Sequence, residues 1–273
     1  MSNPLITGME PNQTVLVTAG ANGIGKTIAE TFLAHGAQVH ICDVNPSDVQ
    51  AFVDTHQNAT GTVADVSSIK DVERMFDELS QHYGKLDILV NNAGIAGPTA
   101  AVEDIKPEDW ERTIAIDLNG QFYVSRLAIP LLKQAGGGSI INLSSNAGLY
   151  ALPLRAPYTA AKWAVVGFTK TLAMELGPDN IRVNALCPCS VNGPRIDGVI
   201  ERDAAESGSS PELIRKVYSR QSSLRRFVDA EDVANMALFL ASHLGKNISG
   251  QAIGVDGHTE GLSNWTDDIE VVQ

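Results

Sequence analysis

Short apolar runs rich in β-branched residues alternate with longer stretches of helical period along nearly the whole chain, and this alternation restricts the fold more than any other feature. Strand candidates fall at Thr14–Thr18, Gln38–Cys42, Gly61–Ala64, Leu86–Asn91, Ser139–Leu143, Arg182–Cys187 and Gln251–Val255. Most are continuously apolar rather than alternating, as strands covered on both faces should be. Between them, Ile69, Val72, Phe76 and Leu79 line one helical face behind a Ser68-x-x-Asp71 cap signal. Val233, Ala237 and Leu240 do the same behind Asp229-x-x-Asp232, giving two surface helices. Strand, crossover helix, strand is the order of a parallel sheet wrapped by helices. No repeat, low-complexity tract or Pro/Ser-rich linker divides residues 1–273, so one domain is expected, interrupted by a polar insertion at Arg195–Arg226. Insertions of that length are usually functional or mobile.

A chain of 273 residues buries roughly three quarters of its surface on folding, so the core needs no disulfide or metal staple. Its 20 basic and 32 acidic residues give a net charge of −12, which repels phosphate backbones and anionic lipid. No nucleic-acid or membrane partner is therefore expected. No apolar run approaches the roughly 18 residues of a membrane span, and Met1–Gln13 lacks a basic start followed by an apolar block. A cytoplasmic location follows as an expectation. Cys42, Cys187 and Cys189 read as free thiols, the six histidines are scattered, and no metal site is expected.

The first strand candidate runs into Ala19-Gly20-Ala21-Asn22-Gly23-Ile24-Gly25 and then a helical stretch, Lys26–His35. A glycine turn there lets backbone N–H groups approach a pyrophosphate at the positive end of the helix, although glycines also punctuate ordinary turns. The next strand candidate ends beside Asp43, 18 residues beyond Gly25, a distance that suits an acid accepting hydrogen bonds from an adenosine ribose. A helix cap or turn acid is the plainer alternative. A carboxylate there repels a 2′-phosphate, and no Lys or Arg occurs in Val44–Val49, so NAD is expected ahead of NADP.

Asn91-Asn92-Ala93-Gly94 closes a strand candidate, and Tyr158-Thr159-Ala160-Ala161-Lys162 opens a long helical stretch with Ser145 thirteen residues upstream of the tyrosine. Together with the glycine turn, and over about Thr14 to Asp256, these elements resemble the short-chain dehydrogenase/reductase family. The resemblance implies a doubly wound Rossmann fold with a seven-stranded parallel sheet flanked by helices on both faces, an NAD(P) cofactor, and alcohol–carbonyl interconversion. It assigns catalysis to Ser145, Tyr158 and Lys162, with Lys162 also on the nicotinamide ribose. It assigns cofactor contacts to Gly20, Asn22, Gly23, Ile24, Gly25 and Asp43, to Asp65 and Val66 at the adenine, to Asn91, Asn92, Ala93 and Gly94, and to Pro188 and Val191 near the carboxamide.

Elementary chemistry agrees. Tyr158 and Lys162 stand at i and i+4, on one helix face. A free tyrosine keeps its proton to about pH 10 and is a poor base, whereas a nearby cation stabilises the phenolate. A hydroxyl such as that of Ser145 can hold the substrate oxygen beside the phenol.

The chain departs from the family's commonest pattern at several positions. Ala19 stands where the first turn glycine is usual, Pro188 is followed by Cys189 rather than Gly, and Gly193 replaces a later Thr. Most consequential, an Asn-Leu-x-Gly run becomes Asp117-Leu118-Asn119-Gly120. Asn119 lies about 200° round a helix from position 117 and cannot substitute for it. Asp117 is expected to keep the relay that connects the catalytic lysine to solvent, as a fourth catalytic residue.

The wall facing the nicotinamide is expected from Asn146–Arg155, from Asn192–Arg226 as a substrate-binding insertion, and from the residues after Gly94. Asn146, Tyr150, Arg155 and Arg195 are the substrate-binding candidates. Arg195–Arg226 carries seven Arg or Lys against five Asp or Glu inside an acidic chain, which leans towards an anionic or otherwise polar hydroxy substrate. Surface arginines paired with neighbouring glutamates would leave the same count. Helical stretches Trp110–Leu132 and Tyr158–Gly177 hold more apolar side chains than one sheet face needs, so a homotetramer or homodimer is expected, unless the excess is core. Two other functions remain: a 3-oxoacyl-type reductase on a carrier, which Asp43 and the acidic charge oppose, and a cofactor-binding sensor without catalysis, which would be expected to lose Tyr158 or Lys162.

Overall fold

Every residue of β1 (Thr14–Thr18) is buried, with Val15 and Val17 turned into one apolar cluster and Leu16 into another, so this strand is covered on both faces. The computed structural model describes residues 8–261. Each early strand leads into a crossover helix: β1 into α1 (Gly23–Ala34), β2 (Gln38–Asp43) into α2 (Pro46–Thr55), and β3 (Ala59–Val63) into α3 (Ile69–Tyr83). After β4 (Ile88–Asn91) come α4 (Pro107–Ile114), one π-helical turn at Ala115–Asn119, and α5 (Gly120–Gln134). β5 (Gly138–Leu143), α6 (Ala156–Leu176) and β6 (Ile181–Pro188) follow, then α7 (Pro194–Ser207), α8 (Pro211–Arg220), α9 (Ala230–Ala241) and β7 (Ala252–Val255).

The seven strands form one sheet in the order β3-β2-β1-β4-β5-β6-β7, all pairs parallel. The order reverses between β1 and β4, which opens a crevice beyond their C-terminal ends, where ligands of doubly wound sheets bind. α1, α2 and α9 cover one face through Phe32, Phe52 and Leu238. α3, α5 and α6 cover the other through Met75, Leu132 and Leu172. Both cap signals hold: Ser68 Oγ accepts from the Asp71 amide at 3.3 Å, and the Asp229 amide donates to Asp232 Oδ2 at 3.0 Å.

The expected strands are all present, β1 with the expected bounds and the others with ends displaced by at most two residues. β3 begins earlier, at Ala59, because Ala59 and Thr60 pair with Val39 and His40 of β2; Gly61 lets the strand lie against α2, since a Cβ there would stand 2.8 Å from Val49 Cγ1. The stretch Trp110–Leu132 is helical throughout, as expected, with the π turn at Ala115–Asn119 set between α4 and α5. The first helix starts at Gly23 rather than Lys26, inside the glycine turn itself. The polar insertion is ordered into α7 and α8, which share a third cluster of Val199, Ile200, Ala204, Ile214, Tyr218 and Phe227. Among the described residues no helix is long and apolar enough to cross a membrane. Nor does any group of three or more His, Cys, Asp or Glu there suit a metal ion. Cys42 and Cys187 are buried free thiols, and Cys189 is half-buried.

Candidate active site

The glycine turn shapes one end of a cavity of about 530 Å³. Asn22 caps α1, its side chain accepting from the Gly23 amide at 2.7 Å, and Gly23 takes a left-handed φ of +52° at the entry to the helix, which glycine adopts without strain. Gly25 has no room for a side chain, since a Cβ would stand 2.1 Å from the Ala19 carbonyl oxygen and 2.4 Å from Asn92 Nδ2. Gly20 likewise packs on Ile41 behind the turn. Ala19 adopts φ +49°, so the methyl that replaces the usual glycine is accommodated by a left-handed residue. That conformation costs an alanine about 1 kcal/mol.

Asp43 ends β2 on the cavity wall. Its Oδ1 accepts from the Val44 amide at 2.8 Å, and its Oδ2 lies 3.4 Å from the Ala21 amide, which ties the acid to the glycine turn. Thr18 links β1 to the Asn92-Ala93-Gly94 turn by accepting both the Asn92 and Ala93 amides, at 2.9 and 3.0 Å. Asn92 returns its side-chain amide to the Thr18 and Ala19 carbonyls. A helix N-terminus, a glycine that lets the backbone approach closely and a carboxylate at the end of β2 make a donor and acceptor set that fits a dinucleotide.

Not every expected contact stands in the wall. Asn22, Gly23, Ile24, Asp43, Asn92, Gly94, Pro188 and Val191 line the cavity, whereas Gly20, Gly25, Asp65, Val66 and Ala93 are not among its lining residues. Asp65 spends Oδ1 on Ser67, and Val66 is buried against Gly120. Asn91, expected beside the adenosine, is instead 1% exposed. Its amide donates to Ser125 Oγ and Asn142 Oδ1, both at 2.9 Å, stitching β4 to α5 and β5.

At the other end of the cavity Ser145, Tyr158 and Lys162 converge. Ser145 leaves the end of β5 and its Oγ accepts from the Ala147 amide at 3.2 Å. Tyr158 and Lys162 share one face of α6, with Lys162 Nζ 5.5 Å from the tyrosine ring centroid. The ammonium is 3% exposed and donates to the Leu143 carbonyl at 3.1 Å. Gly148 lets the Ser145 loop lie on α6, because a Cβ there would meet the Lys162 carbonyl oxygen at 2.6 Å.

The π turn brings Asp117 into this cluster. Fully buried, it accepts the Ile95 amide on Oδ1 at 2.7 Å and places Oδ2 3.6 Å from Lys162 Nζ. Among the described residues Oδ2 has no hydrogen bond, so the contact is an ion pair at long range. Gly94 completes the fit: a Cβ on it would approach Lys162 Nζ to 3.2 Å and Asp117 Oδ1 to 3.3 Å.

Of the substrate candidates, Asn146, Arg155 and Arg195 line the cavity and Tyr150 does not. Asn146 is buried, and its Nδ2 donates to Thr259 Oγ1 at 3.0 Å. Arg195 is exposed at the start of α7. Arg155 offers no free charge: it is 3% exposed and its Nη2 lies 3.2 Å from Asp203 Oδ1. Sequence reasoning treated Asp203 only as one charge in the insertion, since its partner is 48 residues away and no short spacing joins them.

The family model described as enoyl-(acyl carrier protein) reductase matches residues 18–259. The chain is 36% identical over 246 residues to the 3-oxoacyl-(acyl-carrier-protein) reductase of Thermotoga maritima, covering 89% of this chain and 95% of that protein. It is 36% identical over 266 residues to the trans-4-hydroxycyclohexanecarboxylate dehydrogenase of Sinomonas cyclohexanicum, covering 94% and 96%. The crystal structure of an NAD+-bound xylitol dehydrogenase matches with a TM-score of 0.87 at 27% identity, over 92% of this chain and 100% of that one. Sheet order and likeness along nine tenths of the sequence thus agree: the chain belongs to the short-chain dehydrogenase/reductase family of NAD(P)-dependent oxidoreductases.

Proposed function

We propose that this enzyme interconverts a polar secondary alcohol and its ketone with NAD as the cofactor. The observation that carries the reading is a half-buried phenol, Tyr158, on the cavity wall with a buried ammonium, Lys162, one helical turn away. When bound, the dinucleotide supplies a hydride acceptor or donor. Ser145 and Tyr158 hold the substrate oxygen; in oxidation the Tyr158 phenolate takes the alcohol proton, and in reduction the Tyr158 phenol gives that proton to the carbonyl oxygen. The Lys162 ammonium stabilises the phenolate that results. Asp117 acts as a positioning residue, holding that ammonium opposite the Leu143 carbonyl.

The turn from Gly20 through Asn22, Gly23, Ile24 and Gly25 would hold the pyrophosphate, and Asp43 the adenosine ribose. Asp65 and Val66 would bound the adenine, while Asn92, Ala93, Gly94, Pro188 and Val191 would flank the remaining ribose and carboxamide. Asp43 supports NAD over NADP, because a carboxylate accepts ribose hydroxyls and repels a phosphate. The insertion at 192–226, with Asn146 and Arg195, would contact substrate. A second reading, reduction of carrier-bound 3-oxoacyl chains, is favoured by the Thermotoga maritima relative and opposed by Asp43 and the net charge of −12.

Phe122 on α5 and Trp163 on α6 leave 46% and 51% of their surfaces exposed, and these helices would pair with a second copy in a homodimer or homotetramer. Three free thiols suit the reducing cytoplasm. A panel of secondary alcohols assayed with NAD and NADP tests the main reading. Reduction of NAD by at least one alcohol, with NADP slower, is expected; activity with NADP alone would overturn the cofactor assignment.

A further inference from the structure

Asp203, on α7, is the hub of a buried polar cluster that ties the insertion to the rest of the cavity. Its Oδ1 accepts from Arg155 Nη2 at 3.2 Å and from Thr99 Oγ1 at 2.9 Å, and its Oδ2 accepts from the Tyr218 hydroxyl at 2.6 Å. Arg155 also donates through Nη1 to the Ala96 carbonyl at 3.2 Å. Asp203 and Arg155 are 6% and 3% exposed, so water does little to screen the pair. Burial and the neighbouring carboxylate push the Tyr218 phenol upward, which keeps it a donor to Asp203. Four segments meet here: the chain after β4, the start of α6, α7, and α8.

Arg155 and Tyr218 line the same cavity as Ser145 and Tyr158, among apolar Leu152, Ile196 and Val199. A lone guanidinium in that wall would recruit a carboxylated substrate, whereas the Arg155–Asp203 pair presents no net charge. Arg195 is exposed and therefore screened by water and salt. Holding the insertion in place does not by itself call for charge, since apolar side chains of similar volume would pack α7 equally well. What the pair changes is which charge on a substrate the wall tolerates.

We propose that Asp203 is a specificity-determining residue: by cancelling the charge of Arg155, it reserves the substrate half of the cavity for neutral hydroxy and keto compounds and disfavours carboxylated ones. This rests on the secondary-alcohol reading of the cavity. Calorimetric titration of the protein, with and without NADH, by cyclohexanecarboxylate and by cyclohexanecarboxamide tests it. The unsubstituted protein should not prefer the carboxylate. Asp203→Asn, which leaves Arg155 unpaired, should bind the carboxylate at least about tenfold more tightly while the amide changes little. Adding Arg155→Gln to that variant should abolish the gain.

An unchanged carboxylate affinity in Asp203→Asn overturns the proposal, as does a tenfold carboxylate preference in the unsubstituted protein. Should Asp203→Asn fail to fold, Arg155→Gln tests the same charge balance with opposite sign. It should bind cyclohexylmethylammonium at least about tenfold more tightly than the unsubstituted protein does, and equal affinity overturns the proposal. Failure to bind NADH would overturn the cofactor reading alone, because the titrations without NADH still decide the role of Asp203.

Discussion

The two halves of the cavity are built by different means. The half proposed for the cofactor is shaped mostly by backbone: the glycine turn and the Asn92–Gly94 turn are held together by the Thr18 and Asn92 side chains through hydrogen bonds to the main chain. The substrate half is made of side chains brought in from afar, with Arg155, Asp203 and Tyr218 meeting across separations of 48 and 15 residues. A backbone cradle tolerates many sequences provided its glycines remain, while a side-chain cluster is rewritten by single substitutions. One fold can therefore keep its cofactor and change its substrate.

The largest expected effect sharpens this contrast by comparing two buried ion pairs. Lys162→Met leaves the Asp117 carboxylate with only the Ile95 amide, and should cost 3–5 kcal/mol, or about 4, in urea denaturation. Arg155→Met leaves Asp203 with the Tyr218 and Thr99 hydroxyls, so its cost should be smaller. Equal losses would mean that the two clusters are not differently satisfied.

Acid should weaken the sheet beneath the cofactor half. His40, fully buried on β2, lies 2.7 Å from Thr60 Oγ1 and 3.1 Å from Thr62 Oγ1, and Thr62 in turn donates to Glu78. Burial, reinforced by His82, lowers the His40 pKa from 6.5 to about 4. Between those values the unfolded chain binds a proton that the folded chain refuses. The contribution of neutral His40 is thus complete above pH 6.5 and is lost as pH falls through about 4, a change of roughly 3 kcal/mol at most. Denaturation of His40→Val across this window should show a shallower slope; an identical slope would remove His40 from the account.

Asp43→Asn should weaken NAD binding about tenfold, equivalent to about 1.4 kcal/mol, and narrow the gap to NADP. Equilibrium titration of both dinucleotides checks this, and an unchanged ratio would detach Asp43 from the ribose. The smallest effect belongs to Ala19→Gly. Relief of the left-handed alanine should stabilise the protein by about 0.5–1 kcal/mol, visible as a raised Tm, with cofactor affinity preserved.

The same contrast explains what was legible beforehand. Ser145, Tyr158 and Lys162, the glycine turn and Asp43 announce themselves through short spacings, and the apolar runs announce the strands. Val66 and Ala93 were recognisable as positions but their burial was not, because it depends on packing from α5 and β1. The π turn at Ala115–Asn119 carries no propensity signal, so Asp117 and its place beside Lys162 were expected while the local backbone that carries it there was not. Asp203 was invisible as a partner because α7 and α8 obey no spacing relation to α6. Arg155, expected as a substrate contact, is therefore half of a neutral pair.

The central claim is that the Tyr158 phenol, supported by Lys162, exchanges the proton that accompanies hydride transfer. The most direct measurement is the turnover of Tyr158→Phe alongside its affinity for NADH. The account predicts a loss of at least about 10²–10⁴-fold in kcat with NADH binding retained. Turnover within a few fold of the unsubstituted enzyme would contradict it.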